Sequence, residues 1–204
     1  MLRRDKCTTF ATTMRKVLIA DCHDSFVFNV VELLRNIEDC ATEVLPTEYT
    51  TTMDLSSYDG IILSPGPSTP QETEGLFPLL SRCYTTHPIL GICLGHQAIA
   101  HFFGAKLQQL PFPLHGHGEQ LTDIAKDELL FTHYHATKVA RYHSWVVEKD
   151  ALPKELCITA LARSDKSIMA IRHTSLPIRG VQFHPESYLT EEGADMLRAW
   201  IQSI

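Results

Sequence analysis

Three short stretches of this 204-residue chain carry residue types that could do chemistry. The first is Gly91–Ile–Cys–Leu–Gly95, a cysteine between two glycines. Its G-x-C-x-G spacing is the sulfur counterpart of the G-x-S-x-G turn, which presents a nucleophilic serine between a strand and a helix. Glycines suit such a turn because backbones approach closely there and a side chain would clash. Pro88–Ile–Leu before it reads as a buried strand, and the residues from Leu94 read as a helix. Cys93 then sits at a helix N-terminus, where aligned peptide dipoles favour an anion and so a thiolate. The competing reading is a small core cysteine between packing glycines.

The second stretch is Gly180–Val–Gln–Phe–His–Pro–Glu186. On extended chain His184 and Glu186 lie on one side. A carboxylate there can accept from one imidazole nitrogen and leave the other for a nucleophile, as in a catalytic triad. Pro185 stiffens the backbone between them and limits strand pairing. A histidine beside a glutamate is common on surfaces, so this pair gains its meaning from Cys93. The third stretch is Ser64–Pro–Gly–Pro67. Gly66 lets its N–H approach a ligand, and with the Leu94 N–H it could form an oxyanion hole. The same residues also suit an ordinary turn. His115-x-His117 and His133-x-His135 each place two imidazoles on one side, but no further ligand spacing completes a zinc site. Neither a metal nor a cofactor is expected in this chain.

These groups need a scaffold. Lys16–Ala20 is a short apolar strand. The polar loop Asp21–Cys–His–Asp–Ser25 follows it, with Asp24 or Ser25 placed to cap a helix. From Ser25 to Asp39 the apolar residues Phe26, Val27, Val30, Val31, Leu34 and Ile37 have helical spacing. Thr42–Pro46 and Tyr58–Leu63 read as strands, and residues from about Gln71 to Arg82 read as a helix. Strands alternating with helices predict a mostly parallel sheet with helices on both faces, an α/β fold of three layers as in flavodoxin. Ligands bind such sheets at the carboxyl ends of the strands, where Ser64–Pro67 and Cys93 fall. The second half is strand-rich, with strands expected at Ala105–Leu110, Thr132–Ala140, Leu156–Arg163 and Ile168–His173. Ser164–Asp–Lys166 would turn a hairpin, so this half reads as an antiparallel extension of the same domain. Arg179–His184 returns as an apolar strand, and Glu191–Ile204 closes the chain as a helix.

Composition narrows the function classes. The chain is 44% hydrophobic and 21% charged, ordinary globular material. Its formal net charge of -6 argues against a nucleic-acid partner. No apolar run has the length of a membrane span. The six cysteines have no small-scaffold spacing. Free thiols in a reducing, cytoplasmic setting are expected. Met1–Thr13 is basic and threonine-rich without an apolar core, so residues 1–13 read as a disordered extension, or as a leader to a true start at Met14. The domain is expected to span 14–204.

Taken together, Ser64–Pro–Gly–Pro67, Gly91–Ile–Cys–Leu–Gly–His–Gln97, Arg141–Tyr–His–Ser144 and Gly180–Val–Gln–Phe–His–Pro–Glu–Ser187 resemble the triad-type class I glutamine amidotransferases. Asp21–Cys–His–Asp–Ser–Phe26 is similar to the opening motif of one branch, the glutaminase subunits of anthranilate and aminodeoxychorismate synthases. The resemblance runs from about Met14 to the C-terminus. It implies that Cys93 attacks the carboxamide of L-glutamine, His184 moves the proton and Glu186 orients His184. It implies an oxyanion hole at Gly66 and Leu94, and glutamine held by Gly66, Pro67, Ser68, Gln97, Ser144 and Trp145. It also implies a larger chorismate-using synthase subunit as partner and user of the ammonia. Ser68 stands where the family usually has Gly, Trp145 where it has Leu, and Cys22 where it has Asn. A self-contained hydrolase on the same fold and a non-catalytic interaction module are the competing classes. The Ser64–Pro67 and Tyr142–Ser144 motifs speak against the first, and the intact Cys93, His184 and Glu186 against the second.

Overall fold

A computed structural model describes residues 14–135 and 138–204. The expected extension at 1–13 lies outside the described residues. The chain begins with β1 (Arg15–Asp21), α1 (Val27–Arg35), β2 (Cys40–Pro46) and β3 (Gly60–Leu63). Next come α2 (Leu76–Cys83), β4 (Ile89–Ile92) and α3 (Leu94–Phe102). The second half holds β5 (Leu107–Gln109), β6 (His117–Thr122), β7 (Lys138–Arg141), β8 (Trp145–Val147), β9 (Leu156–Ala162), β10 (Ile168–His173), β11 (Ile178–Val181) and α4 (Gly193–Gln202).

Nine strands form one sheet in the order β2-β1-β3-β4-β11-β10-β9-β6-β7, while β5 and β8 pair separately. From β2 to β11 the neighbours are parallel. From β11 to β7 they are antiparallel. The inner strands β3 and β4 are only four residues long and buried throughout, because a strand covered on both faces needs only a brief apolar run, whereas the edge strand β2 is half-buried along its length. In β1 the pleat divides the run Val17–Ala20 between two cores. Val17 and Ile19 join α1 and α4, through residues such as Val30, Leu34 and Trp200. Leu18 and Ala20 join α2 and α3, through residues such as Leu80, Leu94 and Ala98.

The antiparallel extension returns to the parallel half. A bridge pairs Ala140, in β7, with His184, just past the end of β11. The His184 N–H donates to Ala140 O at 3.0 Å. The Ala140 N–H donates to Thr190 Oγ1 at 2.9 Å. This closure sets the Arg141–Ser144 segment beside His184.

Several sequence expectations are corrected. The helix expected over 25–39 is shorter, and neither Asp24 nor Ser25 caps it; Phe26 holds the N-cap position with no side-chain bond. Asp24 Oδ1 instead accepts the Phe26 N–H at 2.7 Å, an Asx turn that ends before the helix begins. The helix expected over 71–82 is interrupted at Gly75, whose φ of +80° is left-handed, so only Leu76–Cys83 is α-helical after a short 3-10 turn at Pro70–Glu72. The strand expected at 132–140 is confined to β7 from Lys138. Residues 129–131 coil into a 3-10 turn whose Leu130 N–H donates to Glu128, and residues 136–137 lie outside the described set. Strands β6 and β8 were not expected. The first reads as polar because buried Glu119 lies within it, balanced by a distant arginine.

Candidate active site

Cys93 lies where β4 turns into α3, with φ 50° and ψ −99°. A non-glycine residue held there stores on the order of 1–3 kcal/mol of strain. The flanking glycines make the turn possible. A Cβ on Gly91 would sit 2.5 Å from the Gly95 carbonyl, and one on Gly95 would sit 2.3 Å from Leu63 O. The Cys93 N–H donates to Val181 O at 2.8 Å, tying the turn to β11. The five described cysteines, Cys22, Cys40, Cys83, Cys93 and Cys157, are all free. Burial pushes the Cys22 and Cys83 thiols up to about 12, which leaves them inert as nucleophiles.

His184 and Glu186 face each other behind this turn. His184 Nδ1 lies 2.6 Å from Glu186 Oε1, and both side chains are almost wholly buried. A carboxylate can only accept, so Nδ1 carries the proton and Nε2 is left for another partner. Nε2 makes no hydrogen bond of ordinary geometry. Burial works against charge on this imidazole. The Cys93 sulfur and the Glu186 carboxylate outweigh it and hold its pKa well above 6.5. The aromatic rings of Tyr142 and Phe26 pack on the imidazole at centroid distances of 5.2 and 6.1 Å.

A cavity of about 480 Å³ opens in front of Cys93. The residues singled out by sequence converge on it: Gly66, Pro67, Ser68, Cys93, Leu94, Gln97, Ser144, Trp145 and His184 all line it. Glu186 stands behind His184 rather than in the wall. Gly66 lies against the turn, since a Cβ there would meet Leu94 Cδ1 at 2.8 Å. Neither the Gly66 nor the Leu94 N–H has an acceptor among the described hydrogen bonds, so both donors are available to a ligand oxygen.

The far wall comes from the antiparallel extension. Arg141 is buried and donates to Glu119 at 3.1 Å, to Asp165 at 2.9 Å and, through Nε, to His143 Nε2 at 3.1 Å. Burial, reinforced by the Arg141 charge, drives the His143 pKa down to about 3. His143 Nδ1 then donates to Trp145 O at 3.0 Å. Gln97 Nε2 donates to the same oxygen at 2.8 Å. The Trp145 backbone is thereby pinned from two sides.

Asp24, Phe26 and Tyr142 line the cavity without a role assigned from sequence, and Gln182 lies behind its wall. Gln182 is fully buried, and its amide nitrogen is 3.6 Å from Cys93 Sγ. The available signal was a glutamine between Val181 and Phe183, just past the end of β11 and two residues before His184. Asp24 lines the cavity half-buried, and burial raises its carboxyl pKa against the opposing Phe26 N–H and His184 charge. Among the described residues no three His, Cys, Asp or Glu side chains gather as metal ligands, and no helix is long and apolar enough to cross a membrane.

Known proteins with the same architecture are numerous. The family model described as "Glutamine amidotransferase class-I" matches residues 18–203. Anthranilate synthase component 2 of Mycobacterium tuberculosis is 40% identical over 193 residues, 91% of this chain and 81% of that protein. The aminodeoxychorismate/anthranilate synthase component 2 of Bacillus subtilis is 36% identical over 190 residues, 92% of this chain and 96% of that protein. A glutamine amidotransferase structure from Thermotoga maritima superposes with a TM-score of 0.72, covering 94% of this chain and 98% of that one, at 16% identity. At that identity it speaks for the fold alone. With the family model spanning nearly the whole chain, and these relatives aligned along most of their length, this chain belongs to the class I glutamine amidotransferases.

Proposed function

We propose that this chain is a glutaminase subunit that hydrolyses L-glutamine and delivers the ammonia to a larger, chorismate-using synthase subunit. The observation that carries the reading is one cavity lined by Cys93 and by His184, which Glu186 backs, with two unspent N–H donors at Gly66 and Leu94. The component 2 relatives support the partner class.

The chemistry follows from the geometry. The Cys93 proton passes to His184 Nε2, and the sulfur attacks the side-chain carboxamide carbon of glutamine. The carbonyl oxygen becomes an oxyanion between the Gly66 and Leu94 N–H groups. The imidazolium gives its proton to the leaving nitrogen, the C–N bond breaks and ammonia departs. Water, losing a proton to His184, then cleaves the γ-glutamyl thioester to glutamate and restores the thiol. Glu186 holds the imidazole in one tautomer and steadies its charge. Gly66, Pro67, Ser68, Gln97, Ser144 and Trp145 hold the substrate. At Ser68 and Trp145, which depart from the family pattern, backbone contacts serve whatever the side chain. Phe112 and Tyr188 are 79% and 88% exposed, beside the wall residue Pro113 and the Tyr142-bonded Ser187. Large exposed aromatics of this kind suit a docking surface around the cavity mouth. The reducing, cytoplasmic setting suits the free thiols.

The test is glutamate production by the chain alone and with the synthase subunit loaded with its own substrate. Stimulation by the synthase, with amination of its substrate from glutamine, is expected. Equal rates in both conditions would favour a self-contained hydrolase.

A further inference from the structure

The amide of Gln182 has a fixed direction, and the direction has a chemical meaning. Trp145 O is a carbonyl oxygen and can only accept. Gln97 presents an amide group 2.8 Å from it, so the nitrogen end of Gln97 must face that oxygen. The same nitrogen lies 3.2 Å from the Gln182 side chain. Its remaining N–H can be used only if Gln182 turns its oxygen toward Gln97. The nitrogen end of Gln182 then faces Cys93 Sγ, at 3.6 Å. Three amide and carbonyl groups thus leave one orientation in which every donor meets an acceptor.

A second anchor reinforces the first. The Arg141 guanidinium cannot accept, so His143 Nε2 must, and the His143 proton sits on Nδ1. That proton also goes to Trp145 O, which therefore cannot turn away from Gln97. Arg141 is itself held by Glu119 and Asp165. The relay runs from the buried Arg141–Glu119 ion pair to the sulfur of the proposed nucleophile.

At its end the sulfur meets a donor that cannot accept. A thiol S–H gains nothing from Gln182 and must point elsewhere, and His184 Nε2 has no other partner. Once the proton has moved to Nε2, the sulfur bears the charge and the Gln182 N–H meets it from another side. Building on the proposed role of Cys93, we propose that Gln182 is a further catalytic residue, whose Nε2–H donates to the Cys93 thiolate and favours it over the thiol. Gln97, beyond its place in the glutamine wall, is the positioning residue that aims Gln182.

The test is the pH profile of Cys93 alkylation by iodoacetamide in the full chain, read on the Cys93 peptide by mass spectrometry. Gln182→Met keeps the length and removes the donor. Gln182→Glu keeps an acceptor for Gln97 and also removes the donor, so it supplies a folded variant should the first one fail. In both, the midpoint of alkylation is expected to rise by about one to two pH units, the worth of a hydrogen bond to a charged acceptor. The kcat for glutamine should fall at least about tenfold, while KM stays within about threefold. Gln97→Leu should move the midpoint in the same direction by less. In the unsubstituted chain, the Gln182 side-chain N–H resonance should shift as Cys93 ionises, a readout that needs no variant. An unchanged midpoint in folded Gln182 variants, or a resonance blind to Cys93, would overturn the proposal and leave Cys93 as nucleophile. Wild-type Cys93 no more reactive than an unfolded thiol would remove the nucleophile itself, and this proposal with it.

Discussion

The two walls of the cavity are built on different principles. The elbow wall is local: β4, Cys93 and the start of α3 are contiguous in sequence, and their shape comes from glycines packed at backbone contact. The opposite wall, Arg141–Trp145, is assembled at long range. It depends on β7 bridging to His184, on Arg141 reaching Glu119 in β6 and Asp165 in the following hairpin, and on Gln97 reaching across to Trp145 O. Under the proposed function, the first wall fixes where a bond is made. The second holds a main-chain segment in place, so it tolerates side-chain change better than loss of its supports. Trp145 illustrates this: it lines the cavity, and its carbonyl is the group that Gln97 and His143 hold.

This contrast can be broken most severely at the elbow. Cys93→Ser should lower glutamine-dependent glutamate formation by about ten-thousandfold or more, because a hydroxyl is a far poorer nucleophile here. Amination driven by supplied ammonia should persist with the partner present, and circular dichroism should show the fold unchanged. His184→Ala should cost about a hundred- to ten-thousandfold in kcat, the usual worth of a positioned acid–base, and Glu186→Gln should cost less. Steady-state kinetics on both variants checks the order. Gly66→Ala should follow at about a hundredfold in kcat, because its methyl meets Leu94 Cδ1 at 2.8 Å and the Cys22 carbonyl at 3.1 Å, displacing one oxyanion donor.

The supports should show themselves in stability. His143 and His96 are buried, with pKa values lowered to about 3 and about 4, burial being the main cause in each. In the unfolded chain both titrate near the ordinary 6.5, so below that pH the unfolded state binds more protons. Their contribution to stability is complete above pH 6.5 and is lost as pH falls toward 4. The loss should approach about 1.4 kcal/mol per pH unit for each histidine. His184 has the opposite sign. Its raised pKa contributes most below 6.5 and fades only as pH rises through the folded value. Urea unfolding between pH 7 and 4.5 should therefore show falling stability, less steep in His143→Gln. The smallest effect belongs to Trp145→Leu, with KM for glutamine within about threefold of wild type, since its carbonyl is the group the supports hold.

The same division explains what was legible in the sequence. The parallel half announced itself because doubly buried strands are short apolar runs and the elbow compresses strand, turn and helix into a few residues. The helix starts were misplaced where an Asx turn at Asp24 and a left-handed Gly75 decided the boundary, both local devices that apolar periodicity does not register. In the extension, β6 was hidden because Glu119 and its neighbours look solvent-facing until Arg141 is brought over from β7. Gln182 falls inside a legible motif, but nothing in the sequence points to a role for it. Its neighbour in space is Cys93, 89 positions away in sequence, and only the folded sheet shows that pairing.

The central claim is that Cys93, and no other group in the cavity, is the nucleophile toward glutamine. The most direct measurement is labelling of the full chain with a glutamine-like diazoketone, followed by mass spectrometry of the peptides. A single adduct on Cys93, slowed by glutamine and absent in Cys93→Ser, is the predicted result. An adduct on another residue, or one retained in Cys93→Ser, would contradict it.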